Sequence, residues 1–346
     1  MRAAYYEQFK EPISIRSVVE PQVPDNGVII AVKATGICLS DWHGWQGHDP
    51  EIRLPHVPGH ELAGEVVAVG IGVRNWQEGD RVTLPFVCGC GTCPQCTSGN
   101  PQVCDYQFQP GFTHWGSFAE LVAIHYADQN LVCLPDSLDF VAAANLGCRF
   151  ITSFRAVLDQ GRLKAGQWLV VHGCGGVGLA AVMIGKAVGA KVLAVDIADE
   201  KLDVATQLGA NLTINNRDED DPVGAVRELT GGGGHVSIDA VGTTETCINS
   251  VAGLRKRGRH VQVGLLVGQH HRPPVPMELV IAKELEIVGS HGMPAADYQR
   301  IFKMIDSGLL DPGKLVTRTV DLQEGIELLQ EMDRFNNSGV IVIDNI

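Results

Sequence analysis

The feature that most narrows the folds open to this chain is an alternation of strand-like and helix-like segments beginning near residue 168. Trp168-Leu-Val-Val-His is a short apolar run, and a helix is expected next, near residues 177–188. Val177, Ala180, Ala181, Ile184, Ala187 and Val188 form one apolar stripe on it at helical spacing. Lys191-Val-Leu-Ala-Val-Asp follows, then a second helix near residues 199–208 with Gly209 placed to cap it. Runs at Val236-Ser-Ile-Asp, His260-Val-Gln-Val and Leu285-Glu-Ile-Val extend the order. Apolar strands separated by helices are buried on both faces, which builds a parallel sheet covered by helices on either side. Two more amphipathic helices are expected between Asp297 and Met332, and Val340-Ile-Val-Ile reads as a final strand. Before residue 150 the texture differs. Val28-Ile-Ile-Ala-Val-Lys, Glu65-Val-Val-Ala-Val and Asp80-Arg-Val-Thr-Leu are short runs broken by Gly, Pro and Asp, which predicts a β-rich, turn-rich region. At 346 residues the chain exceeds one ordinary core, so two domains are expected. No internal repeat or low-complexity tract is visible.

Between the first run and the first helix lies Gly173-Cys174-Gly175-Gly176-Val177-Gly178, a G-x-G-x-x-G segment. In a glycine-rich chain the pattern alone is weak; following a strand and opening a helix, it gains meaning. Glycines there permit a tight turn and a close backbone approach, and the helix N-terminus offers free N–H groups to a pyrophosphate. Asp196 closes the next strand, where a carboxylate accepts hydrogen bonds from a ribose 2′-OH and repels a 2′-phosphate. The pattern therefore favours NAD(H) over NADP(H), with an ordinary strand–helix turn and a helix-capping Asp as the alternative.

Cys90, Cys93, Cys96 and Cys104 stand as C-x2-C-x2-C-x7-C, threaded with Gly91, Pro94, Gly99 and Pro101. A tetrahedral zinc with Zn–S bonds of about 2.3 Å needs four thiolates gathered by a tightly turning backbone, and this spacing supplies them as a closed, structural site. An iron–sulfur cluster or two local disulfides remain the alternatives. A nucleic-acid zinc finger is excluded by charge, because the net charge is −13 and no Lys/Arg block exists. Cys88 lies beside the set as a spare, and Cys133, Cys174 and Cys247 receive no role. The opening residues carry no apolar signal core and no window approaches a membrane span, so a cytoplasmic protein is expected.

A second group is spread through the first half: Cys38-Leu39-Ser40-Asp41-Trp42-His43, then Gly59-His60-Glu61, and later Gly147-Cys148-Arg149-Phe150. Taken singly, such residues are usually small core or satisfied polar groups. Together with the cysteine lobe and the glycine segment, they fall in an order that resembles the zinc-dependent medium-chain alcohol dehydrogenases along essentially the whole chain. The resemblance implies a β-rich GroES-like catalytic domain at 1–152 and 290–346. It also implies a Rossmann, doubly wound parallel-sheet nucleotide domain at 153–289. It implies reversible NAD-dependent oxidation of primary or secondary alcohols to aldehydes or ketones, through a zinc-bound alkoxide and hydride transfer to nicotinamide.

Carried over position by position, Cys38, His60 and Cys148 match the ligands of a catalytic zinc, the second of two per chain. Glu61 matches a carboxylate that approaches the metal during ligand exchange, and Asp41 the group that orients His60. Ser40 and His43 match a proton relay to solvent. Thr152 and Val177 match contacts to nicotinamide, and Lys201 a contact to the adenosine ribose. Phe86 matches a wall of the substrate pocket. Trp45, with Trp42, Phe112 and Trp115, lies in segments that either border that pocket or pack in the core. His48, His56, His114, His270 and His271 are taken as surface or structural residues. Arg149 can pair with a backbone group or a carboxylate, and the sequence does not select between them.

The chain departs from the pattern at Leu39, where relatives often carry a basic residue facing the pyrophosphate, and in Asn336-Asn-Ser-Gly-Val, which lacks an expected Arg or Lys. Weaker coenzyme binding and faster release are expected. Polyol and threonine dehydrogenase relatives usually place an acidic residue where Cys148 stands, so the thiol favours simple alcohols, as analogy. A polyol or sugar dehydrogenase, a metal-independent quinone or enone reductase, and a redox sensor or metal-storage protein are the competing readings. A small-molecule substrate and a homo-oligomer, a tetramer before a dimer, are expected.

Overall fold

The computed structural model describes residues 1–333 and 339–346. The expectation about Asn336 to Ser338 lies outside the described residues. Among the described residues the chain divides into two compact units, one built on 1–151, 292–333 and 340–346, the other chiefly on Thr152–His291.

The second unit holds a six-stranded, wholly parallel sheet. Its order is Leu212–Asn215, Lys191–Asp196, Trp168–His172, Gly234–Asp239, Leu254–Gln262, Glu286–Gly289. The chain therefore steps outward in one direction from Trp168–His172, then returns to continue on its other side, the doubly wound arrangement expected. Ligands of such sheets bind where the order reverses, beyond the carboxyl ends of the strands. That reversal falls at Trp168–His172, which runs straight into Gly173. The helix Gly176–Ala187 is buried continuously from Gly178 to Gly185. Asp199–Leu208 ends at Gly209, whose φ of 116° is a left-handed cap. The strand Leu212–Asn215 was not foreseen, because four residues with two apolar positions carry too little periodicity. The helices Pro222–Thr230 and Thr244–Ala252 begin at side-chain caps, Asp221 accepting from Gly224 N at 2.9 Å and Thr243 exchanging bonds with Thr246.

The first unit is built on a seven-stranded sheet, antiparallel except where Val316–Asp321 runs parallel to Val340–Asn345. Val340–Asn345 lies between Val316–Asp321 and Val28–Gly36, and Val28–Gly36 also pairs with Glu61–Val69. Val28, Ile30 and Val32 alternate onto one face and pack with Leu62, Val66, Leu84 and Ile124. Each such fully buried side chain contributes about 1.5–3 kcal/mol. A second core gathers Tyr6, Ile37, Phe118, Ile343 and the apolar side of helix Leu322–Gln330, which Asp321 caps. The two helices expected between Asp297 and Met332 are Tyr298–Asp306 and Leu322–Gln330. Among the described residues, no helix is long and apolar enough to cross a membrane.

Candidate active site and metal centres

In the first unit, Cys38 is the extended residue just before the short helix Leu39–Trp45. Asp41, in the first turn, reaches back to accept from Cys38 N at 3.1 Å. Its other oxygen accepts from Gly59 N at 3.0 Å and pairs with His60 Nδ1 at 2.8 Å. Gly59 has φ +104°, and a Cβ there would lie 2.4 Å from the Phe118 ring, so only glycine makes the turn that delivers His60. Asp41 and His60 have fully buried side chains. With Nδ1 donating to the carboxylate, Nε2 carries the lone pair, and it is buried without a hydrogen-bond partner. Desolvation disfavours the charged ring, but Asp41 and then Cys38 outweigh it and raise its pKa well above the ordinary histidine value.

Cys148 arrives from far along the chain on a π-helical turn, Leu146–Phe150, between the helices Phe140–Ala144 and Ile151–Arg155. Such single wide turns often mark functional positions. Gly147 O accepts from Phe86 N at 2.8 Å, and a Cβ on Gly147 would lie 3.2 Å from Glu61 Cα, which locks the turn against the segment following Gly59. One donor atom each from Cys38, His60, Glu61 and Cys148 lies within 4.8 Å of the others. A hydrogen bond between the two sulfurs holds Cys38 well below the usual thiol range and pushes Cys148 well above it. Two soft sulfurs and an imidazole lone pair, the latter fixed by a carboxylate behind it, form a donor set suited to zinc. The residues present fit that metal.

Arg149, left open by the sequence, chooses Glu61. Its Nε lies 2.9 and 3.1 Å from the two carboxylate oxygens, its Nη2 contacts Oε2, and its backbone N–H donates to Oε1 at 3.1 Å. Burial raises the Glu61 pKa and the arginine opposes it. Glu61 thus belongs to the donor cluster and to a buried ion pair at once.

Ser40 Oγ accepts from Cys38 Sγ at 3.7 Å. His43 Nδ1 meets His48 Nδ1 at 2.9 Å, and burial followed by the charge of His48 lowers the His43 pKa. His48, placed among the surface residues by the sequence, is indeed exposed but is bonded to a relay residue. Phe86 and Phe112 are both buried, with ring centroids 6.1 and 5.0 Å from that of His60. Trp45 is a correction: it takes the core alternative, packing with Tyr6 and Leu322 while its indole N–H donates to Glu11 O. Trp115 stacks edge-on against Tyr5 and donates to Pro55 O. Trp42 sits edge-on to His43 and His48. His56 is buried and bonded to Gly111 O.

Cys90, Cys93, Cys96 and Cys104 form the other cluster, with all four sulfurs within 4.8 Å of one another as free thiols. Backbone N–H groups point at the sulfurs: Cys93 N to Cys90 at 3.4 Å, Cys96 N to Cys93 at 3.5 Å, Cys90 N and Tyr106 N to Cys104 at 3.3 Å. The Thr92 hydroxyl and backbone lower Cys90 to about 6. Burial opposes this at Cys96 and Cys104, whose thiols are pushed up. Four sulfurs this close, three of them met by backbone N–H donors, fit a zinc with all four positions filled by protein.

In the second unit, Gly173 has φ +93°, and a Cβ on Gly178 would lie 1.7 Å from Gly173 O, so the fold itself demands these two glycines. Gly175 differs. It is exposed, nothing lies within 4 Å of a Cβ there, and it opens helix Gly176–Ala187 with no side-chain cap. The first-turn N–H groups consequently face open space shaped by backbone alone, which fits a pyrophosphate. Asp196 ties the loop to the neighbouring strand, accepting from Cys174 N at 2.6 Å and from Ile197 N and Ala198 N. Lys201 is half-buried on the next helix. Thr152 is buried with an unpartnered hydroxyl, and Val177 O accepts from Ser153.

A GroES-like sheet unit carrying two cysteine-based donor sets, with a doubly wound unit carrying a glycine-rich turn, defines a zinc-type dehydrogenase. The comparisons agree. Residues 24–136 match the alcohol dehydrogenase GroES-like domain and residues 176–307 the zinc-binding dehydrogenase domain. The chain is 32 % identical to an alcohol dehydrogenase of Geobacillus stearothermophilus over 345 residues, covering 99 % of each. It is also 32 % identical to an NAD-dependent alcohol dehydrogenase of Sulfurisphaera tokodaii, covering 98 % of each. The solved alcohol dehydrogenase of Thermus sp. ATN1 superposes with a TM-score of 0.89 at 31 % identity over the full length of both chains. The chain belongs to the zinc-dependent medium-chain alcohol dehydrogenase family, and it is an oxidoreductase of that family's alcohol-oxidising type.

Proposed function

We propose that this protein catalyses the reversible NAD-dependent oxidation of primary or secondary alcohols to aldehydes or ketones. In this reading Cys38, His60 and Cys148 hold a catalytic zinc, and Cys90, Cys93, Cys96 and Cys104 hold a structural one. The observation that carries the reading is the buried, unpartnered Nε2 of His60, aimed by Asp41 at two cysteine sulfurs. Bound there, zinc supplies a Lewis acid for an alcohol or carbonyl oxygen. Asp41 fixes the tautomer and the aim of His60. Ser40 takes the proton that the alcohol loses, His43 receives it, and Nδ1 of His43 passes it to Nδ1 of exposed His48, 2.9 Å away. The neutral state favoured at His43 suits an acceptor near pH 7. Phe86 and Phe112 present apolar faces beside His60, which favours apolar or aromatic alcohols over polyols. The N–H groups around Gly175 hold the coenzyme pyrophosphate, Asp196 and Lys201 its adenosine ribose, and Thr152 and Val177 line the nicotinamide. The exposed strand Glu286–Gly289 at one end of the parallel sheet supports a homo-oligomer, tetramer before dimer, joined through that edge. A cytoplasmic location completes the reading.

Two measurements test it. Metal analysis of the purified chain should give two zincs. NADH absorbance in a panel of alcohols and polyols at alkaline pH should rise with simple alcohols, and Cys38→Ser should abolish that turnover while leaving the fold intact. A metal-free chain that turns over, or full activity in a zinc-free Cys38→Ser protein, overturns the proposal; a preference for polyols moves the substrate class to sugars.

A further inference from the structure

At the opposite end of the parallel sheet from the glycine turn, the second unit has a cavity of about 280 Å³ rimmed by Arg162, Arg255, Lys256, Arg257 and Arg259. These are five of the 27 Lys and Arg in a chain with 40 acidic residues, and Glu286 is the one carboxylate among the lining residues described. Glu286 is already engaged: Arg259, nearly buried, contacts it through Nη2 and donates through Nη1 to Gln160 O at 2.7 Å. Arg162 lies 3.9 Å from the same carboxylate. The chain spends backbone strain to present two of the arginines, since Arg162 and Arg257 have φ of 52° and 59°, a region that side chains other than glycine rarely adopt.

A half-buried histidine in the cavity wall points to what fills it. Trp168 N donates to His235 Nδ1 at 3.0 Å, and Arg255 Nη1 lies 2.9 Å from His235 Nε2. A neutral imidazole has one lone pair and one N–H, and arginine has no lone pair at all. Two donors are therefore aimed at a ring that can accept from only one, and whichever tautomer the ring takes, one N–H faces another. Burial and then the Arg255 charge lower the pKa of the ring, and protonating it would only add another donor. An acceptor in the cavity resolves it by taking the hydrogen bond that His235 cannot.

We infer that this cavity is an anion site for a compact phosphate-type ligand, either inorganic phosphate or the phosphate of a small ester. Arginine forks suit phosphate oxygens bidentately, and a volume just under the usual ligand range of about 300–1,000 Å³ suits a small one. It is separate from the coenzyme cradle. Its residues precede or begin the strands whose far ends lead into that cradle, and a five-residue strand such as Trp168–His172 spans about 17 Å.

The test is calorimetric titration of the zinc-loaded chain with inorganic phosphate and, separately, glycerol 3-phosphate. Each is run at constant ionic strength set with chloride, with and without saturating NAD. Saturable binding should occur under both coenzyme conditions and weaken at least tenfold in Arg255→Met and in Arg257→Gln, while NADH affinity stays unchanged. Arg257 is 84 % exposed, so its variant keeps the fold. At least tenfold tighter binding of the ester assigns the site to phosphate esters, and equal affinity assigns it to phosphate itself. Absence of binding by both probes, loss of it when NAD is present, or wild-type affinity in both variants overturns the inference.

Discussion

Replacing Asp41 by asparagine isolates what the buried carboxylate does for the metal centre. The carboxylate accepts from three N–H groups, at Cys38, Gly59 and His60. An asparagine oxygen can still accept from Gly59 and His60, but its NH2 then faces the Cys38 N–H as a second donor. One hydrogen bond is lost, worth about 1.5–3 kcal/mol when the acceptor is charged. The lone pair at His60 Nε2 also loses the anion that raises its basicity. Replacing the partner of a metal-ligating histidine typically costs about 10–100-fold in metal affinity or activity, equivalent to about 1.4–2.8 kcal/mol. Chelator competition on the zinc-loaded chain reads this directly. One equivalent of zinc should bind 10–100-fold more weakly in Asp41→Asn, while the equivalent on the four-cysteine lobe is unchanged and turnover falls in step with the first. That lost bond is also part of the cap on helix Leu39–Trp45, so the same variant should melt lower by about 3–12 °C, at roughly 2–4 °C per kcal/mol. Wild-type affinity for both zinc equivalents would refute the argument that Asp41 tunes His60.

Gly175→Ala and Gly178→Ala should separate binding from folding: both weaken NADH at least tenfold by fluorescence titration, but only Gly178→Ala, whose Cβ strikes Gly173 O, also lowers the melting temperature. A lowered melting point in Gly175→Ala would contradict the open space found there. Leu39, 47 % exposed, replaced by Arg should tighten NADH; an unchanged or weaker dissociation constant rejects its role in coenzyme release. Arg149→Met leaves Glu61 as an unpaired buried charge, a loss of about 3–5 kcal/mol, or about 6–20 °C at roughly 2–4 °C per kcal/mol. Adding Glu61→Gln should restore much of it in scanning calorimetry, and a fall below about 2 °C in the single variant would show that the pair is not buried as described.

The parts of the molecule that local spacing encodes were legible in the sequence. The glycine turn, the stripe on Gly176–Ala187 and the cap at Gly209 each lie within one turn or one strand. The cysteine lobe is equally local, since fifteen residues contain all four sulfurs. Cys38, His60 and Cys148 are another matter: only a family resemblance joined them, and the structure brings their donor atoms together through a left-handed Gly59 and a π-helical turn that no periodicity announces. The Glu61–Arg149 pair was equally invisible, because two residues 88 apart carry no mutual signal until the sheet and that turn are in place. The Nδ1 contact between His43 and His48 could have been found from their spacing across the end of a short helix, although exposure had argued for a bland surface role. Trp45 shows the converse: proximity in sequence to His43 suggested the pocket, and helix geometry sent its ring into the core instead.

The position of Val340–Asn345 sets an order on how the molecule is made. Emerging from a ribosome, the chain presents Cys38, His60, Glu61 and Cys148 early, and the whole parallel-sheet unit follows before this strand exists. Yet Val340–Asn345 is the member that joins Val316–Asp321 to Val28–Gly36 in the first unit's sheet. The parallel sheet of the second unit, all of it between Trp168 and Gly289, can complete itself co-translationally; the first unit waits, its sheet unfinished, while its thiols are already exposed. During that interval the exposed edge of Val28–Gly36 and the unligated cysteines are the chain's vulnerable points, and early capture of metal would protect both.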